Sequence, residues 1–119
     1  MSGHTSGISA LALSADGSRA ISGSRDHTLK IWELPSGREV GSLPGHDGPV
    51  TAVSMTPDGS CAVSGAEDGL LRVWDLESKT CLAEFRGEGA IWACAIAHDG
   101  RTIVASESSG KMYFLEIKR

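Results

Sequence analysis

The chain repeats itself. Gly3-His4 recurs as Gly45-His46 and, altered, as Gly87-Glu88, at an equal step each time. Asp16-Gly17 recurs as Asp58-Gly59 and Asp99-Gly100, and Trp32-Glu33 as Trp74-Asp75, with Leu115-Glu116 in the third place. A period of roughly 40 residues marks one supersecondary unit that cannot bury its own apolar face and has to stack on its neighbours. The repeats, about 3–44, 45–86 and 87–119, therefore predict one continuous array rather than three domains.

Within each repeat the local signals are all-β. Segments 8–14, 50–56 and 91–97 alternate small and larger apolar residues, as in a strand with both faces covered. Each ends at an Asp-Gly turn, where glycine takes the positive φ of a tight hairpin at little steric cost. Second strands are predicted at 19–24, 61–66 and 102–106, and third strands, rich in β-branched and aromatic residues, at 29–34, 70–76 and 111–117. A fourth strand follows twice, at 39–43 and 80–85, and no fourth strand is expected in the last repeat. The turns are short throughout, so no linker or helical domain is expected.

Composition narrows the function classes. The 119 residues are 40% apolar, enough for a core if the repeats stack, and the net charge of −4 offers no cationic face for nucleic acid or an anionic membrane. Apolar runs fall well short of the ~20 residues that span a bilayer, and the start Met-Ser-Gly-His has no secretory pattern, so a soluble cytoplasmic protein is expected. Cys61, Cys81 and Cys94 lack metal-type pairing and sit in strand patterns, which predicts buried free thiols. No phosphate loop, metal cluster or isolated carboxylate pair stands out, and no cofactor is expected. His27 and His98 read as solvated turn residues.

The order Gly-His, Asp-Gly, Ser-Gly-x-x-Asp, Trp-Asp resembles the WD-repeat β-propeller family over essentially the whole chain. The first two repeats share half their residues over 15–34 and 57–76, whereas the third is a weakened copy. The resemblance implies two four-stranded blades and a three-stranded third, an incomplete propeller. It also implies a structural hydrogen-bond network at His4, Ser22, Asp26 and Trp32, and again at His46, Ser64, Asp68 and Trp74. Histidine brings one donor and one acceptor, aspartate accepts, the hydroxyl relays, and a buried indole N–H has to find an acceptor. The third repeat has Glu88, Ala105, Ser109 and Leu115 at these positions, so that blade is expected to have lost its polar network and to rely on packing.

Ser, His and Asp close together also suggest a catalytic triad. The set occurs once per structural unit and includes a Trp with no role in nucleophilic catalysis, which favours a structural role and no enzyme activity.

Propellers close with roughly 4 to 8 blades, so a chain of three leaves two apolar blade faces in need of cover. Two or three copies joined head to tail, the missing blades of a longer propeller, or a strand donated by another protein would each supply it. The ending Tyr113-Phe-Leu-Glu-Ile117 is similar to the closing blade of large WD-repeat proteins, including bacterial signalling ATPases that carry propellers as sensors. A purely structural oligomer without an outside ligand is a further alternative. The family resemblance implies a non-catalytic scaffold for protein or peptide partners, with Ser9, Thr51 and Trp92 near the first strands and Arg25, Glu67 and Ser108 before the turn aspartates as the binding positions.

Overall fold

The structure, a computed structural model, describes residues 7–44, 46, 48–97, 99 and 101–116. Among these, eleven strands form three antiparallel sheets. Blade 1 has the order β1 (Ile8–Leu13), β2 (Arg19–Ser24), β3 (Thr28–Glu33), β4 (Arg38–Pro44). Blade 2 repeats it with β5 (Val50–Met55), β6 (Cys61–Ala66), β7 (Leu70–Asp75) and β8 (Thr80–Arg86). Blade 3 holds β9 (Ile91–Ile96), β10 (Thr102–Glu107) and β11 (Met112–Glu116). His4, His98 and Gly100 lie outside the described residues.

The Asp-Gly hairpins form for a local reason. In blade 1, Gly17 takes φ 75°, and Asp16 Oδ1 accepts the Ser18 amide at 2.9 Å and the Ser14 and Ser18 hydroxyls at 2.8 Å each. Those donors, the Ser18 amide foremost, hold the Asp16 carboxyl down at about 2. Gly59 and Asp58 repeat the arrangement, with φ 74° and the Ser60 amide 3.0 Å from the carboxylate. Asp99 takes the Thr102 and Arg101 amides, Thr102 having the larger effect, and is likewise held at about 2.

The inner strands β1, β5 and β9 stand side by side, so the sheets stack face to face. The first seam packs Ile21, Leu29, Ile31 and Leu43 of blade 1 against Val50, Met55, Ala62, Trp74 and Leu76 of blade 2. The second packs Val63, Leu71 and Val73 of blade 2 against Ile91, Ile103 and Ala105 of blade 3, with Phe85 and Leu115 at its margin. Blade 3 has exchanged volumes within this scheme. Where blade 2 pairs Ala62 with Trp74 across β6 and β7, blade 3 pairs Ile103 with Leu115 across β10 and β11. The lost indole is offset by a larger neighbour, and packing is kept.

Two expectations need correction. The strand at β1 is not covered on both faces: Leu11 and Leu13 are 53% and 57% exposed, because no blade precedes them among the described residues. None of the three cysteines is in a disulfide, but not all are buried. Cys61 is buried, Cys94 is half-buried in the second seam, and Cys81 is exposed. Cys81 lies on β8, the outermost strand of its sheet, and strand alternation reports a face without reporting depth within the stack. Burial pushes the Cys94 thiol up to about 12, leaving it protonated and inert.

Candidate functional site

Blade 2 carries a continuous polar chain through its interior. Trp74 Nε1 donates to Ser64 Oγ at 2.8 Å, Ser64 Oγ lies 2.7 Å from His46 Nε2, and His46 Nδ1 lies 3.2 Å from Asp68 Oδ2. The chemistry of the ends orders the middle. An indole can only donate and a carboxylate can only accept, so Nδ1 carries a proton toward Asp68, and with the imidazole neutral the Ser64 hydroxyl donates to Nε2. β6 and β7 bring Ser64 and Trp74 together, and the turn between them supplies Asp68, whose Oδ1 also accepts the Leu70 amide at 2.8 Å. His46 arrives from the connection after β4. The chain thus ties that connection to the middle of the blade.

The Ser64-His46-Asp68 distances match those of a nucleophilic triad. Access decides against that use: Ser64 and the His46 side chain are 0% exposed. The hydroxyl is also occupied by an indole that no substrate can displace. In blade 1, Trp32 Nε1 donates to Ser22 Oγ at 2.8 Å, and Asp26 Oδ1 accepts the Thr28 amide at 2.9 Å.

Blade 3 has not lost its polar network; it has a different one, which corrects the expectation that this blade relies on packing. The carboxylate of Glu107, a buried residue at the end of β10, accepts the Glu88 amide at 2.9 Å, the Gly89 amide at 3.1 Å and Tyr113 Oη at 2.9 Å, all on Oε2. Ser109 Oγ donates to Oε1, so Ser109 is a working member and not a spectator. These donors, Ser109 first, hold the Glu107 carboxyl below the usual carboxylate range against the opposing effect of burial. Tyr113 also packs edge-on against Phe85 of blade 2, with ring centroids 4.8 Å apart. The direction of the tie is reversed. In blade 2 the connecting segment brings a side chain to the strands, whereas in blade 3 the strand brings an acceptor to the backbone of the connecting segment. Glu107 stands where blades 1 and 2 have Ser24 and Ala66, and Tyr113 where they have Lys30 and Arg72. A charged residue at an inward-facing strand position beside a new phenol was the available signal.

The six positions assigned to partner binding lie at one end of the blades. Ser9, Thr51 and Trp92 are near the start of the inner strands, and Arg25, Glu67 and Ser108 open the turns that follow β2, β6 and β10. The turns are pinned to that end: the amides of Arg25, Glu67 and Ser108 donate to the carbonyls of Gly7, Pro49 and Ala90 at 3.2, 3.0 and 2.9 Å. The three side chains themselves are exposed. Ser9 and Thr51 have their hydroxyls committed within the protein, donating to the carbonyls of Val50 and Ile91 in the next blade. Trp92 remains 51% exposed.

Among the described residues no three His, Cys, Asp or Glu side chains are grouped to hold a metal ion, and no helix is long and apolar enough to cross a membrane. The surface between blades 1 and 2 has a shallow depression lined by Arg19, Ile31, Val40, Leu76, Glu77 and Lys79, at the opposite end of the strands from the exposed turns. No curated protein matches the chain closely enough to count as a relative. The WD domain, G-beta repeat, matches three times, over residues 1–33, 37–75 and 79–114, and the chain belongs to this family.

Proposed function

We propose that the chain is a non-catalytic protein-interaction module that completes its propeller by joining copies of itself head to tail. The membership in the WD-repeat family supports the interaction role. One observation carries the assembly. Ile8, Leu11 and Leu13 occupy the places that Val50, Val53 and Met55 take in blade 2, where they pack into the first seam, yet in blade 1 they stand 44–57% exposed. At the other end, Met112 and Phe114 occupy the places of Leu71 and Val73, which fill the second seam, yet they are 58% and 70% exposed. The leading face of blade 1 is thus of the kind that blades bury, and so is the trailing face of blade 3.

Two copies give six blades, within the range that closes, while three give nine. In the closed ring Arg25, Glu67 and Ser108 present one surface to a protein or peptide, with Ser9 and Thr51 holding the strands behind them. Three cysteines outside any disulfide, one of them exposed, fit a reducing compartment such as the cytoplasm. Absolute mass by light scattering tests the reading: twice the mass of one chain supports it, and a monodisperse monomer over a wide dilution range overturns it.

A further inference from the structure

The two internal seams share a clasp that the trailing face of blade 3 lacks. In blades 1 and 2 the inner strand opens with a bulge, the register slipping between Ile8 and Ala10 and between Val50 and Ala52. The extra residue is Ser9 or Thr51, and a bulge re-aims its side chain. Its hydroxyl reaches the carbonyl of its own sheet's Gly23 or Gly65, at 3.4 and 3.2 Å, and the carbonyl of Val50 or Ile91 in the next blade. The glycine is required by closeness. A Cβ on Gly23 would stand 2.4 Å from Val50 Cγ1, and one on Gly65 2.4 Å from Ile91 Cγ2. Hydroxyl and glycine together draw a β-branched residue down onto the neighbouring sheet.

Blade 3 keeps the bulge, with its register slip between Ser106 and Glu107, but both clasp residues differ. Trp92 stands in place of the hydroxyl and Ser106 in place of the glycine. The leading face of blade 1 keeps its half, because Ile8 is the β-branched counterpart of Val50 and Ile91. At the spacing of the internal seams, Ser106 Cβ and the Ile8 of a second copy would overlap. The sheets have to stand farther apart there, and Trp92 is the side chain with the size to fill the opening.

We infer that copies of this chain join through a seam wider than the internal ones, in which Ser106 acts as a spacer and Trp92 packs against Ile8 and Leu11 of the next copy. The inference rests on the head-to-tail reading and names the residues that decide it. The occupant is a second copy because the chain itself carries the mating surface, repeated position for position in blades 2 and 3. A distinct seam also fixes where copies join, since neither internal seam accepts an indole at the clasp.

Sedimentation equilibrium on the whole chain, with Trp92→Ala and with the double variant Trp92→Thr/Ser106→Gly, tests this. Trp92→Ala is expected to raise the dissociation constant at least about tenfold, as for an aromatic anchor at an interface. The double variant rebuilds the internal clasp and is expected to return to within about threefold of the original affinity. Dilution through dissociation should red-shift the emission of the unsubstituted chain and not that of Trp92→Ala, because Trp32 and Trp74 stay buried with their N–H groups bound. An assembled chain whose affinity is unchanged by Trp92→Ala overturns the inference and leaves the head-to-tail reading standing. A chain that is monomeric at every concentration overturns that reading as well and assigns the open faces to blades of another chain. Unfolding of dilute Trp92→Ala at a lower denaturant midpoint would give Trp92 to this chain's own fold, which also overturns the inference.

Discussion

A buried donor with a single hydrogen leaves its acceptor little freedom, and that governs what single residues do here. Ser64 receives the Trp74 N–H and faces His46 Nε2, so Ser64→Ala strands two buried groups at once and is expected to cost about 1–3 kcal/mol in chemical unfolding. His27 is different in kind. It is exposed with φ 76°, in the place where blades 2 and 3 have Gly69 and Gly110 at φ 83° and 92°. His27→Gly is expected to leave stability unchanged or raise it by up to about 1 kcal/mol by relieving a left-handed conformation; a loss would show that the imidazole has a partner worth more than the strain. The turn carboxylates set an acid dependence. Asp16 and Asp99 are held at about 2 against an ordinary 3.8. A folded value below the unfolded one means their contribution is complete above 3.8 and is lost as pH falls toward about 2. Glu107 is depressed as well and acts in the same direction. Unfolding midpoints should therefore fall across that window. The combined Asp16→Asn and Asp99→Asn changes, which keep an acceptor but remove the charge, should flatten the fall.

The strands show how one element can be rebuilt without moving it. β10 and β11 keep the pairing of β6 and β7 while exchanging Ala62-Trp74 for Ile103-Leu115, and Glu107 with Tyr113 replaces the histidine chain. The polar and apolar changes are coupled, because loss of the indole removes the donor that made a serine necessary at Ala105. What β11 lacks is an outer neighbour: among the described residues it pairs with β10 alone, whereas β7 lies between β6 and β8. A row of unpaired backbone groups is solvated and open to strand addition. In hydrogen exchange the outward amides of β11 should exchange faster than those of β7. Equal protection would show that the edge is already covered.

For the whole molecule, the same chemistry has opposite consequences at equivalent places. Leu11 and Val53 hold corresponding positions on inner strands, but Leu11 is 53% exposed while Val53 packs against the first seam core. Leu11→Glu should leave the unfolding midpoint of the dilute chain nearly unchanged and abolish association, read as mass by light scattering. Val53→Glu should destabilise the chain itself by placing a carboxylate without a partner in an apolar seam. If both variants behave alike, the leading face of blade 1 is not a docking face.

The sequence by itself determined the repeat, the strands to within a residue or two, the hairpin turns and the family, because period, alternation and turn chemistry are local and are written in neighbouring residues. The family resemblance also brought out His46, Ser64, Asp68 and Trp74 as a set, on residue types that blade 1 repeats at the same spacing. Only the tertiary structure decided how deep a strand lies, which placed Cys81 at the surface and Leu13 in the open. It likewise decided that Glu107 gathers donors from Ser109, Tyr113 and the backbone of Glu88 and Gly89, a cluster with no counterpart among the described residues of the other repeats. The close approach that makes glycine necessary at positions 23 and 65, and gives Ser106 its meaning, exists between sheets. A contact across sheets depends on how blades stack, and no local pattern in the chain records that distance.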